Sequence, residues 1–108
     1  MTDRELLELA AKAAGINALY WSDGSEPYSS GEGVIYSDNA IWNPLTCDGD
    51  ALRLAVKLKI DTKHYPDHVV CWYEDFFGTG KIFYEDNPCA ATRRAITLAA
   101  VEIGRALP

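Results

Sequence analysis

The chain has 108 residues, of which 48% are hydrophobic and 24% are charged, the composition of an ordinary globular domain rather than a disordered segment. Lys and Arg total 10 and Asp and Glu total 16, so the formal charge of −6 argues against binding to duplex nucleic acid, which needs basic side chains for its phosphates. No apolar run approaches the roughly 20 residues that span a bilayer, and we expect neither a membrane segment nor a signal peptide. Three cysteines cannot all pair within one chain, which favours a reduced, intracellular setting. We expect a single domain over 1–108.

Capping residues and apolar spacing predict three helices. Thr2 and Glu5 have capping-box spacing at the start of the first helix. Thr46 or Asp48 can cap the second helix, and Asn87 before a proline is a typical start for the third. The predicted helices span 3–14, 48–59 and 88–106.

Three strands are predicted between the second and third helices, at 60–65, 68–74 and 81–85. Turn residues at 66–67 and 77–80 separate them, so an antiparallel meander is expected. The apolar runs do not alternate with polar residues, which is typical of a sheet covered on both faces. The sequence therefore predicts an α+β fold, a three-layer α/β/α sandwich with a three-stranded or slightly larger antiparallel sheet.

Two further predictions concern the hairpin and the core. Short apolar pieces at 34–36 and 40–42 flank a turn and are expected to form a small hairpin. The residues expected to be buried in the core are Val70, Trp72, Ile82, Phe83, Leu52, Ile96 and Ile103.

The residues able to carry metal or nucleophilic chemistry form no recognisable motif. His64, His68, Cys71 and Cys89 could each bind zinc, but a turn separates the two histidines and there is no Cys-x-x-Cys pair. No local signature surrounds any cysteine, and the sequence does not decide whether these four residues lie close together. We therefore predict no catalytic residue, no metal and no cofactor.

Aromatic residues are concentrated in an irregular region of the chain. They suit a recognition surface, because Tyr and Trp supply contact area with few torsions to freeze, and they equally suit a core. Both interpretations stay open for Tyr20, Trp21, Tyr28, Tyr36 and Trp42.

The third predicted helix has a second apolar face. Leu98 and Val101 lie off the main apolar stripe and align instead with Arg94 and Arg105. This composition is typical of an interface, so a free face would mediate self-association or partner docking. The other interpretation is that residues 20–36 cover Leu98 and Val101.

Two segments carry a family resemblance: residues 42–58 (WNPLTCDGDALRLAVKL) and residues 90–104 (AATRRAITLAAVEIG). Together with the first helix they resemble the small bacteriophage proteins that carry the phage ABA-sandwich domain, most of which have no assigned function. Cys47 stands where an acidic residue is expected, and region 16–41 is variable. The resemblance implies an α/β/α fold and a phage origin, and it implies no reaction.

The expected function is therefore that of a non-enzymatic phage accessory protein that binds a target in the cytoplasm of the infected bacterium. One version is an inhibitor of a host protein, for example in a defence system, with an exposed aromatic patch and a polar rim. The alternative is a protein that sequesters a small molecule or nucleotide in a concave pocket lined by aromatic residues and Arg or Lys. A small hydrolase-type enzyme is the third interpretation.

Overall fold

The structure, a computed structural model, describes residues 1–24, 32–36, 40–73 and 78–108. The helices are α1 (Asp3–Ala14), α2 (Asp48–Leu58) and α3 (Pro88–Ala106), and their bounds agree with the predicted ones to within one residue. The strands are β1 (Tyr20–Asp23), β2 (Glu32–Ile35), β3 (Ile41–Trp42), β4 (Asp61–His64), β5 (His68–Trp72) and β6 (Ile82–Phe83).

Local side-chain chemistry explains where two of the helices begin. The Thr2 hydroxyl accepts the Glu5 backbone N–H at 3.2 Å, and the Asn87 side chain accepts the Ala90 N–H at 3.0 Å. The predicted caps of α2, Thr46 or Asp48, are wrong. The N-cap of this helix is Cys47, which makes no capping hydrogen bond.

The strands form two three-stranded antiparallel sheets, in the orders β1-β2-β3 and β4-β5-β6. The predicted hairpin is confirmed, with Val34 opposite Trp42 and Ile35 opposite Ile41. The predicted meander is also confirmed in its strand order, although the turn at 77–80 lies partly outside the described residues. The α+β class and the antiparallel three-stranded sheet are therefore as predicted, and a second sheet of the same size is added.

The helices pack on one another, and each sheet makes its most extensive helix contacts with one helix. Among the described elements the most extensive contact joins α1 to α3, and α2 packs on α3 as well. The β4–β6 sheet packs on α3, while β2 of the other sheet contacts α1. The result is a small sandwich of helices and sheets whose core is formed largely by small and branched apolar residues of α1 and α3.

The β4–β6 sheet has an inner face toward α3 and an outer face. Val69 and Cys71 are fully buried in the core on the inner face. Alternation along the strands places His68 and Phe83, which are paired across β5 and β6, on the outer face. Phe83 is 54% exposed there, so the expected burial of this residue is wrong. Leu52 was also expected in the core and is 64% exposed on α2.

Within the described ranges, no helix has both the length and the apolar composition that crossing a membrane requires.

Candidate binding surface

Three rings on the outer face of the β4–β6 sheet form a cluster, the aromatic patch, consisting of Tyr65, His68 and Phe83, in which His68 itself is buried. The Tyr65 and His68 rings are stacked, with centroids 4.5 Å apart and planes 7° from parallel. The Phe83 ring lies 5.8 Å from His68 and is tilted by 54°. Tyr65 and Phe83 remain 39% and 54% exposed, so a large part of the patch faces solvent.

The local sequence brings these rings together. Pro66 and Asp67 form a two-residue connection, closed by a hydrogen bond of 2.8 Å from the Tyr65 N–H to the His68 carbonyl. Tyr65 and His68 are therefore directly opposite each other, and Phe83 is opposite His68 on the other side. Directly opposed residues of antiparallel strands project to the same face, where their side chains touch.

Charged groups border the aromatic patch. Lys63 Nζ lies 5.3 Å from the centre of the Tyr65 ring, within the range of a cation–π contact. Nδ1 of His68 donates to a carboxylate oxygen of Asp67 at 2.6 Å, and this hydrogen bond lowers the pKa of Asp67 below its usual value. An apolar and aromatic centre with charges at its edge is the usual composition of a protein-binding surface.

The aromatic residues singled out by the sequence lie elsewhere. Trp42 is buried in the core, and Trp21 and Tyr36 are partly buried against it. Tyr20 is exposed on β1, and Tyr28 lies outside the described residues. Core packing is thus the correct interpretation for Trp42, and no exposed cluster joins the four residues that the structure describes.

The second apolar face of α3 is not free. Val101 is only 2% exposed and Leu98 is partly buried against the core. Val101 lies one turn before Gly104, which meets the backbone of Leu9, so this face packs toward α1. The interpretation of an open interface at Val101 is therefore wrong. Cover by residues 20–36 stays a prediction, because that region lies partly outside the described residues.

The two arginines that frame this face are exposed. Arg105 lies 3.6 Å from Glu102 and donates to the Met1 sulfur at 3.8 Å. Arg94 borders a different feature, a cavity of about 440 Å³ beside β6.

The four candidate metal ligands are not brought together. His64 and Cys89 border one cavity of about 310 Å³ between α2, α3 and β4. His68 lies on the opposite face of the sheet, and Cys71 is fully buried, with its thiol 3.4 Å from the Thr62 hydroxyl. Burial raises the pKa of the Cys71 thiol, which disfavours the reactive thiolate. No group of three His, Cys, Asp or Glu side chains in the described ranges is arranged to hold a metal ion.

A Cys–His nucleophile pair would have to come from His64 and Cys89. Nδ1 of His64 is instead 3.1 Å from the Tyr84 hydroxyl. No hydrogen bond connects Cys89 with His64 in the part of the chain that the structure describes. The cavity is bordered by apolar groups such as Leu52 and Ile96 and also by Asp48, Thr92 and Arg93, and Arg93 donates to Asp48 at 2.6 Å.

The cavity beside β6 has the composition that the small-molecule interpretation requires. Phe83 and Tyr84 border it together with the cations Lys81 and Arg94. Two acidic residues, Glu85 and Asp86, also border it and would oppose a phosphate group.

The chain matches no protein-family model, no curated protein and no solved structure. The resemblance to the phage ABA-sandwich proteins therefore stays a prediction.

Sequence reasoning missed the aromatic patch because it treated Phe83 as a core residue. A usable signal was present in the Pro66-Asp67 turn. A two-residue connection makes its flanking residues face each other, which brings Tyr65 and His68 together whatever the rest of the fold does.

Proposed function

We propose that this protein is a non-enzymatic phage accessory protein that binds a host protein in the cytoplasm of the infected bacterium, with the aromatic patch at the centre of the contact. The observation that carries the proposal is the ring cluster in which the exposed rings of Tyr65 and Phe83 contact the buried ring of His68. A component of a defence system is the kind of target that the phage resemblance suggests.

Rigidity of the patch supports a binding role. His68 is held between the Tyr65 ring, the Phe83 ring and the Asp67 carboxylate, so little side-chain freedom remains to be lost on association. Aromatic residues held in this way are the usual source of binding energy at a protein interface.

The charge of the chain indicates the chemistry of the partner. With a formal charge of −6, the protein attracts a basic surface at long range and repels acidic ones. Asp67 adds a negative charge at the edge of the patch, because a carboxylate is ionised at neutral pH. The proposed partner therefore presents a basic rim around an apolar socket.

The test compares two truncations of similarly exposed apolar residues. Phe83→Ala removes the centre of the patch, and Leu19→Ala removes a side chain that is 58% exposed on another part of the surface. The proteins captured from infected host lysate are identified with the wild type, and the affinity of the main one is measured by calorimetry. We expect Phe83→Ala to weaken binding by more than about tenfold, the effect of a central interface residue, and Leu19→Ala to leave it unchanged. Equal affinity for both variants and the wild type contradicts the proposal.

The second candidate function, sequestration of a nucleotide or other small anion, is favoured by the cavity that Lys81, Tyr84 and Arg94 border. A thermal-shift screen with nucleotides tests it directly, because a ligand at 100 times its Kd adds about 2.7 kcal/mol of stability. Arg94→Ala should abolish any shift that arises in this cavity. If no nucleotide raises the Tm, this second candidate is wrong and protein binding remains the proposed function.

A further inference from the structure

In the described chain, strand β4 lies at the edge of its sheet. It pairs with β5 on one side and with no other strand in the described ranges. Tyr65 and His68 are a hydrogen-bonded pair, and such pairs alternate along antiparallel strands. The backbone groups of Lys63 and Asp61, two and four residues earlier, therefore point toward β5. The N–H and C=O groups of Thr62 and His64 therefore point to the open edge, where no backbone partner is seen among the described residues.

Exposed apolar side chains lie beside this edge. Leu52 and Val56, one turn apart on α2, are 64% and 69% exposed. Both border a cavity of about 520 Å³ that extends to Asp61 and Thr62 of β4. Native proteins generally avoid leaving an open strand edge beside exposed apolar residues. Where both occur together, they mark a site that another chain covers.

We propose that this edge is covered by a second copy of the chain, giving a twofold dimer in which β4 pairs antiparallel with β4 of its partner. The β4–β6 sheets of the two chains then form one six-stranded sheet. The twofold axis of an antiparallel pair is perpendicular to the sheet, so the two α2 helices lie on the same face and bring Leu52 and Val56 into contact across the axis.

The charges of β4 favour self-pairing and fix its register. With Thr62 opposite its own copy, both Thr62 residues exchange backbone hydrogen bonds through their outward N–H and C=O groups. Asp61 of each chain is then opposite the partner's Lys63, so two opposite-charge pairs form. A shift by one residue, with Lys63 opposite itself, places like charges together. The strand is thus complementary to itself in one register.

The dimer also arranges the aromatic patches. The two outer faces are continuous across the axis, so both copies of the Tyr65, His68 and Phe83 cluster lie on one surface of the assembly. This arrangement is independent of the proposed function, since the dimer forms whatever the patches bind.

Sedimentation at about 100 µM chain tests the proposal, since this concentration populates any dimer with a Kd near about 1 µM. We expect twice the mass of one chain for the wild type. Residue 61 of each chain is opposite residue 63 of its partner, so Asp61→Lys and Lys63→Asp each create two pairs of like charges. Each variant should raise the dimer Kd by at least about tenfold. The double variant with both changes exchanges the charges and should restore the wild-type Kd.

A backbone variant separates pairing from folding. Thr62→Pro removes the outward N–H while leaving the β4–β5 hydrogen bonds of Asp61 and Lys63 in place, so it should be monomeric with unchanged circular dichroism. Thr62→Ala is its control, because it also loses the contact with Cys71 but keeps the N–H, and it should dimerise. A monomeric wild type, a dimeric Thr62→Pro variant, or a double variant as weak as the single ones overturns the proposal.

Discussion

Gly104 is expected to be essential for the contact between α1 and α3, against what helix propensity suggests. A Cβ built at this position overlaps the carbonyl oxygen of Leu9 and lies 2.9 Å from its carbonyl carbon. Both are backbone atoms inside α1, so no side-chain rotation relieves the overlap. Gly104→Ala therefore forces the two helices apart at their closest approach.

The expected magnitude follows from two opposing effects. Replacing a glycine inside a helix by alanine gains about 1 kcal/mol in helix propensity. Overpacking costs about 1–3 kcal/mol, and contact with rigid backbone places this case at the upper end. The free energy of unfolding should fall by about 2 kcal/mol, which lowers Tm by roughly 8–16 °C in a domain of this size.

Urea and thermal unfolding measure this change, and Gly49→Ala is the matched control. Gly49 also lies in a helix, but its added Cβ would meet only guanidinium atoms of Arg53, the nearest at 3.2 Å, at the flexible end of an exposed side chain. The control should be as stable as the wild type or slightly more stable. If Gly104→Ala equals or exceeds the stability of the wild type, the close contact between α1 and α3 is wrong.

Two further predictions concern Asp50 and Asp67. Buried Asp50 accepts the Asn43 N–H at 2.9 Å, so Asp50→Ala should cost about 1–3 kcal/mol in urea unfolding by orphaning that donor. Arg53→Ala, which removes only the exposed partner of Asp50, should cost much less stability than Asp50→Ala; equal losses would contradict the burial argument. The folded-state pKa of Asp67 is lowered, so its contribution to stability is present above the ordinary value of 3.8 and lost as the pH falls through the lower folded-state value. Asp67→Asn should therefore flatten the acid limb of the Tm–pH curve, and an unchanged limb would refute this.

The helices could be predicted from the sequence because their ends depend on neighbours in the chain. Thr2 and Asn87 accept backbone N–H groups three residues ahead, a local interaction that capping rules describe. The start of α2 was predicted less well in detail. Its Asp50 accepts the backbone N–H of Asn43, seven residues earlier, a contact that no capping rule contains.

The candidate site was harder to predict because it depends on which face of a strand is covered. An apolar run such as 69–73 predicts a strand covered on both faces, and it does not identify what packs on either side. Here α3 covers the face of Val69 and Cys71, and the other face carries the aromatic patch. Hydrophobicity alone could not separate Phe83, which is exposed, from Val69, which is fully buried.

The width of an apolar arc on a helix depends on how many neighbours the helix has. Leu98 and Val101 suggested an interface because they fall outside one stripe, yet α3 packs on α1, on α2 and on the β4–β6 sheet, so a wide buried arc is what it needs. The same reasoning gives the opposite result for α2. Ala51 and Leu54 are buried where α2 packs on its neighbours, and nothing in the described chain covers Leu52 and Val56, which are exposed. Apolar residues left over after every neighbour has been counted are better evidence for a missing partner than residues that merely break a pattern, and on this molecule they lie beside an open strand edge.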